Sequence, residues 1–141
     1  MPSKTMNDQK TAAWLVSLHG GHSGEFCDHA QGTLREILDS AVQRGCPAYG
    51  VSEHAPRLGE HYLYETEVHM GWTVDKIVQD FERYAQAINQ ARDDYADTLD
   101  ILRGFAMEVV LTDRHIAIIR GYRERFPFDY IVGSVHFLHD V

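Results

Sequence analysis

The sequence predicts an α/β fold of about four parallel βα units. Two observations carry this expectation. Short apolar runs alternate with longer stretches of helical periodicity, in the order β-α-β-α-β-α-β. A histidine or glutamate also stands at or just beyond the end of every apolar run. Such alternation calls for parallel strands joined by right-handed crossovers, and it fits an open doubly wound sheet and a barrel equally.

Trp14-Leu15-Val16-Ser17-Leu18 reads as the first strand, followed by a loop rich in glycine and histidine. Thr33 then starts a helix with Leu34, Ile37, Leu38, Ala41 and Val42 on one face, and Gly45 is its stop. Ala48 to Ser52 is a short second strand. The segment from Glu53 to Trp72 has few regular apolar positions and several aromatic and acidic ones, and a loop of that length in a compact domain is usually functional. Thr73 caps a long helix with Val74, Ile77, Val78, Phe81, Tyr84, Ala85 and Ile88 on one stripe. A third strand lies within Asp100 to Val110. Thr112 or Asp113 caps a further helix with Ile116, Ile119 and Tyr122 inward, and Pro127 ends that connection. Tyr130 to Val135 is a fourth strand whose composition suits burial on both faces.

The 141 residues, 44% hydrophobic and 24% charged, describe one ordinary globular domain. Residues 1–13 read as a flexible N-terminal tail and residues 14–141 as the domain. A net charge of -8 argues against nucleic-acid binding, which needs a basic face, but not against a small phosphorylated substrate whose charge bound metals could offset. Cys27 and Cys46 read as reduced thiols. The polar start lacks the apolar core of a signal peptide, and no run approaches the length of a membrane span. The expected setting is cytoplasmic, without a membrane partner.

His19 and His22 follow the first strand, Glu53 and His54 the second, Glu108 lies late in the third, and His136 follows the fourth. The carboxyl ends of parallel strands are where loops converge and sites form. Any one of these histidines alone would read as a solvated or hydrogen-bonded residue. Together, neutral imidazoles and carboxylates suit Zn, Mn or Fe. Metals so held can polarise a phosphoryl oxygen and activate water, which points to hydrolysis of a phosphate ester.

The run from His19 to Leu34, His-Gly-Gly-His-Ser-Gly-Glu-Phe-Cys-Asp-His-Ala-Gln-Gly-Thr-Leu, resembles the first motif of the polymerase-and-histidinol-phosphatase (PHP) superfamily. Its Phe-Cys-x-His-Ala-x-Gly-Thr-Leu portion is similar to the histidinol-phosphatase branch. Ser52-Glu53-His54-Ala55-Pro56 resembles the second motif, Gly104 to Glu108 sits where the family has Gly-Phe-Glu, and Asp129 to His136 resembles the fourth-strand motif. The resemblance implies a partial distorted (β/α)7 TIM-like barrel and hydrolysis of L-histidinol phosphate to L-histidinol and phosphate, in histidine biosynthesis. It implies His19, His22, His29, His54 and His136 as ligands of divalent Zn, Mn or Fe, up to three ions in a complete site, with water activated by the metals as nucleophile. Glu53 is expected to orient a ligand from behind, or else to be a plain loop acid.

Some features depart from the family pattern. Two glycines separate His19 from His22 where the family has one residue. Ala106 stands where the family has its bridging glutamate. Glu108, two residues on and on the same strand side, is weighed as a ligand against a carboxylate that caps or pairs locally; it is displaced by roughly 6–7 Å along the strand. Family members supply a further His and an Asp-x-His pair from later strands, so the chain reads as truncated on its C-terminal side. The open barrel edge could then support self-association. The alternatives are a phosphoesterase for another small phosphate, or a catalytically incomplete metal-binding fragment. His61, Tyr62, Tyr64, Glu65 and Glu67 either line a substrate pocket or form a lid without substrate contact. His61, His69, His115 and His139 read as surface or loop residues, and Cys27 as a buried thiol.

Overall fold

The computed structural model describes residues 15–19, 21–109 and 112–136. Trp14, the N-terminal tail and His139 lie outside the described residues. Four strands, β1 (Val16–Ser17), β2 (Ala48–His54), β3 (Asp100–Glu108) and β4 (Tyr130–Ser134), form one sheet in that spatial order, every pair parallel. Between them run α1 (Leu34–Gln43), α2 (Glu65–His69), α3 (Val74–Asp94) and α4 (Asp113–Arg125). The strand order resolves the ambiguity left by the sequence. With strands laid down consecutively and crossovers of one hand, helices accumulate on one face, which is the winding of a barrel and not of a doubly wound sheet.

The helices form where local chemistry starts and stops them. Thr33 caps α1 by accepting from the Glu36 N–H at 3.1 Å, while Glu36 accepts from the Thr33 N–H at 2.7 Å. Thr73 and Thr112 cap α3 and α4 in the first of these two ways. Gly45, at φ +75°, turns the chain out of α1. The core lies between these helices and one sheet face: Leu34, Leu38 and Ala41 of α1, and Phe81, Tyr84, Ile88 and Ala91 of α3, meet Val51, Ile101 and Phe105. Phe81 sits at its centre, with its ring centroid 4.9 Å from that of Tyr122 and 5.6 Å from that of Phe105.

On the other face the sheet curls. The Tyr130 phenol of β4 lies 2.6 Å from the Leu18 carbonyl oxygen beyond β1 and 3.2 Å from that of Val51. A flat four-stranded sheet would hold β1 and β4 about 14 Å apart, too far for a tyrosine to span. Its ring passes over Gly104 and Gly50, where any Cβ would collide with it. The result is a half-barrel with Tyr130 across its hollow.

Three sequence expectations are corrected. Glu53–Trp72 is not structureless: β2 continues to His54, a 3-10 turn covers Glu60–Tyr62, and α2 follows. On α4, Ile116 is 41% exposed, and the inward stripe is His115, Ile119 and Tyr122, so His115 is a buried residue and not a surface one. β4 is only half-buried, because among the described residues it pairs with β3 alone and Val135 beyond it is exposed. Among the described residues, no helix is long and apolar enough to cross a membrane.

Candidate metal centre at the carboxyl rim

The loop after β1 is laid against β2 by backbone bonds. The Ser52 N–H donates to the Gly21 carbonyl at 3.1 Å, and Gly21 approaches the Val51 backbone so closely that a Cβ would sit 3.0 Å from its Cα. The Ser23 N–H then donates to Glu53 Oε1 at 2.6 Å. These contacts bring His22 over the end of β2, where its ring stacks on His54 at 4.3 Å. The Phe26–Ala30 turn adds His29, 5.6 Å from His22 and 5.3 Å from His54 between ring centroids. One nitrogen from each of His22, His29 and His54 lies within 4.8 Å of the others.

The donor atoms of this cluster suit a cation. His22 Nδ1, His54 Nε2 and Glu53 Oε2 are buried and, among the described residues, have no hydrogen-bond partner. Unsatisfied buried polar atoms cost about 1–3 kcal/mol each, and a cation bound by the histidines would offset part of that cost. Burial, followed by the neighbouring His22 and Arg57, pushes the His54 imidazole down to about 3, which keeps it neutral and able to bind metal. Glu53, only 1% exposed, stands 3.6 Å from His22 Nδ1.

The remaining sequence-derived candidates fall elsewhere. His19 is exposed, with its ring 6.4 Å from that of His22, and it is not one of the three histidines that converge. Glu108 is buried and paired with His136: it accepts from the His136 backbone N–H at 2.6 Å, and its other oxygen lies 2.6 Å from His136 Nδ1. Ala106, buried and in register with His54, occupies the sheet position nearer the histidines. Cys27 is buried beside His29, with Sγ 3.1 Å from His29 Nδ1, and burial raises its thiol to about 11.

Between the two groups stands Tyr64. Its ring is 5.6 Å from that of His54 and 5.4 Å from that of His136, and its phenol oxygen is 3.2 Å from His136 Nδ1. Arg57, which the sequence reading passed over, lies under this ring with its guanidinium carbon 4.2 Å from the centroid. Arg57 is ion-paired to Glu67 at 3.1 Å, both side chains almost wholly buried. A basic residue three positions after His54, in a segment dense in acids, was the available signal. A separate cavity of about 580 Å³ beside β1 and α1 reaches His22 and is lined also by Gln31, Ile37, Arg44 and Tyr49.

A histidine cluster on the carboxyl rim of consecutively wound parallel strands defines a class: α/β barrel proteins with a site fit for transition metals. Within that class the chain belongs to the PHP domain family, whose pattern matches residues 18–141. It is 30% identical over 126 residues to the "Probable histidinol-phosphatase" of Schizosaccharomyces pombe, covering 89% of this chain and 40% of that protein. It is 23% identical over 133 residues to the histidinol-phosphatase of Saccharomyces cerevisiae, covering 87% of this chain and 39% of that one. The crystal structure of hisK from Listeria monocytogenes, described as a candidate histidinol phosphatase, superposes with a TM-score of 0.62 at 25% identity, over 82% of this chain and 43% of its own. The chain thus spans about 40% of the length of the curated relatives it matches.

Proposed function

We propose that this chain carries the first four strand-end ligand groups of a metal-dependent phosphomonoesterase acting on L-histidinol phosphate in the cytoplasm. The observation that carries the reading is the convergence of His22, His29 and His54, with buried donor atoms that no described residue satisfies. These three histidines would hold Zn, Mn or Fe, and His136 is the candidate ligand from β4. Divalent ions bound there would supply Lewis-acid polarisation of a phosphoryl oxygen and a water of lowered pKa. Glu53 stands 3.6 Å from His22 Nδ1, without a hydrogen bond to it, and Glu108 would orient His136 through its contact with Nδ1, as carboxylates behind ligating histidines do. The names of the matched relatives support histidinol phosphate as substrate.

The test is metal analysis of the purified protein together with phosphate release from L-histidinol phosphate and a panel of other small phosphomonoesters. The expected result is bound transition metal, release that chelation abolishes, and preference for histidinol phosphate. Absence of bound metal sinks the reading. Metal with turnover of a different phosphate only would reassign the substrate. Metal without any turnover would favour the second reading, a metal-binding module without catalysis, to which Ala106 in place of the family glutamate lends support.

A further inference from the structure

The loop after β1 and the segment after β2 meet at one buried carboxylate. Cys27 and Phe26 turn back on Ser23, whose carbonyl accepts from their N–H groups at 3.0 and 3.3 Å, and Asp28 and His29 follow directly. The Asp28 side chain is wholly buried, while that of His29 is half exposed. One Asp28 oxygen lies 2.9 Å from His29 Nδ1, and the other accepts a hydrogen bond from the Thr66 hydroxyl. Thr66 is itself held in place. It sits in α2, whose first turn is fastened by Glu67: one Glu67 oxygen accepts from the Tyr64 N–H at 2.7 Å and the other from the buried Arg57 guanidinium at 3.1 Å.

A carboxylate at neutral pH has no hydrogen to give. The hydrogen in its contact with His29 therefore belongs to the imidazole. Cys27 Sγ lies 3.1 and 3.3 Å from the two ring nitrogens, but a thiol is a weak donor and a weak acceptor and does not displace a carboxylate. A hydrogen kept on Nδ1 leaves the lone pair of Nε2 as the one this histidine can offer to a cation. We infer that Asp28 is a positioning residue, which fixes the tautomer and ring orientation of His29 for metal binding, and that Thr66 steadies it from α2. This inference rests on the metal-centre reading and adds to it a link between α2 and one of the three converging histidines.

Two measurements separate this role from that of a mere fastener between α2 and the turn. The first needs no metal. Long-range proton–nitrogen correlation spectra of chelator-treated protein, at a pH where its imidazoles are neutral, should show the His29 hydrogen on Nδ1. In Asp28→Ala it should move largely to Nε2, the tautomer that unconstrained imidazole side chains prefer. The second is the affinity for Zn(II) or Mn(II), measured by competition with a chelator. It should fall about 10- to 100-fold in Asp28→Ala, the usual cost of losing such a partner. Asp28→Asn keeps the shape of the side chain and removes its charge, so affinity should fall there too, with the melting temperature of the metal-free protein unchanged. Thr66→Val should cost about 2- to 10-fold, and little more when added to Asp28→Ala, because both changes act through one carboxylate. A hydrogen on Nε2 in the unsubstituted protein, or unchanged metal affinity in both Asp28 variants, overturns this inference and leaves the histidine centre standing. Additive losses in the double variant overturn the part given to Thr66. An unsubstituted protein that binds neither Zn(II) nor Mn(II) overturns both readings together.

Discussion

A methyl group at Gly104 would fall inside the ring of Tyr130, and one at Gly50 would meet the phenol of the same residue. Both positions are on the hollow side of the sheet, which Tyr130 must cross to reach the Leu18 carbonyl. Gly104→Ala is therefore an overpacking change and should cost about 1–3 kcal/mol. Tyr130→Phe removes only hydrogen bonds and should cost about 0.5–1.5 kcal/mol. Urea unfolding midpoints of the two variants should rank in that order, and a neutral Gly104→Ala would mean that the ring does not sit on the glycine. The sequence placed Gly104 within a motif but held no reason for its being glycine, because the reason is a side chain 26 positions away. The same limit explains Glu108. Periodicity put it on the strand side shared with Ala106, and the unbroken register against β4 keeps it there: Ala106 pairs with Val132 and Glu108 with Ser134. Its contacts with His136 could be found only once β4 was folded against β3.

Elements were readable where one amphipathic face and one capping residue sufficed. Thr33 and Thr73 cap their helices as their positions foretold, and of Thr112 and Asp113 it is Thr112 that caps α4. The misreadings were of two kinds. α2 is five residues long, too short for a periodic signature, and it exists because Glu67 both caps its start and binds Arg57. On α4 the pattern Ile116, Ile119, Tyr122 competed with His115, Ile119, Tyr122, and hydropathy favoured the wrong first member. β4 carries a comparable tertiary dependence at its entry. Asp129 accepts from the Arg103 backbone N–H at 2.8 Å and from its guanidinium at 3.0 and 3.1 Å, while the Asp129 N–H donates to the Arg103 carbonyl at 2.7 Å. Hydrogen bonds from Arg103, against a smaller effect of burial, hold the Asp129 carboxyl below the usual aspartate range. A carboxylate of depressed folded-state pKa adds stability that is present above the unfolded value and lost as pH falls through the folded one. Asp129→Asn should therefore lower stability at pH 7 by about 1–2 kcal/mol, after allowance for its partial exposure. The difference from the unsubstituted protein should shrink below about pH 4. Denaturant titrations at pH 7 and pH 3 decide this; a difference that is the same at both would mean the charge contributes nothing.

At the scale of the whole molecule the apolar core and the histidine cluster lie on different parts of the half-barrel, and their stabilities are separable. The core is built by helices packed on one sheet face. The cluster joins the loop after β1, the turn before α1 and the end of β2, three stretches that otherwise meet through a few hydrogen bonds such as Ser23 to Glu53 and Ser52 to Gly21. A cation that binds this arrangement and not the unfolded chain stabilises the fold by mass action, about 2.7 kcal/mol at a hundredfold excess over Kd. For a domain of this length that corresponds to a rise in melting temperature of about 10 °C. The rise should appear on adding Zn(II) or Mn(II) to chelator-treated protein and reverse with further chelator, whether or not any phosphate is hydrolysed. His54→Ala should abolish it, since His54 Nε2 is a buried donor atom without a described partner. His19→Ala should leave most of it, since the His19 ring is exposed and stands outside the converging three. If His19→Ala removed the shift as fully as His54→Ala, the ligand set would have to be rebuilt around the first histidine of the motif. If neither variant changed it, the cation would be bound somewhere other than this rim. Differential scanning calorimetry on the two variants, with and without metal, separates these outcomes and needs no knowledge of the substrate.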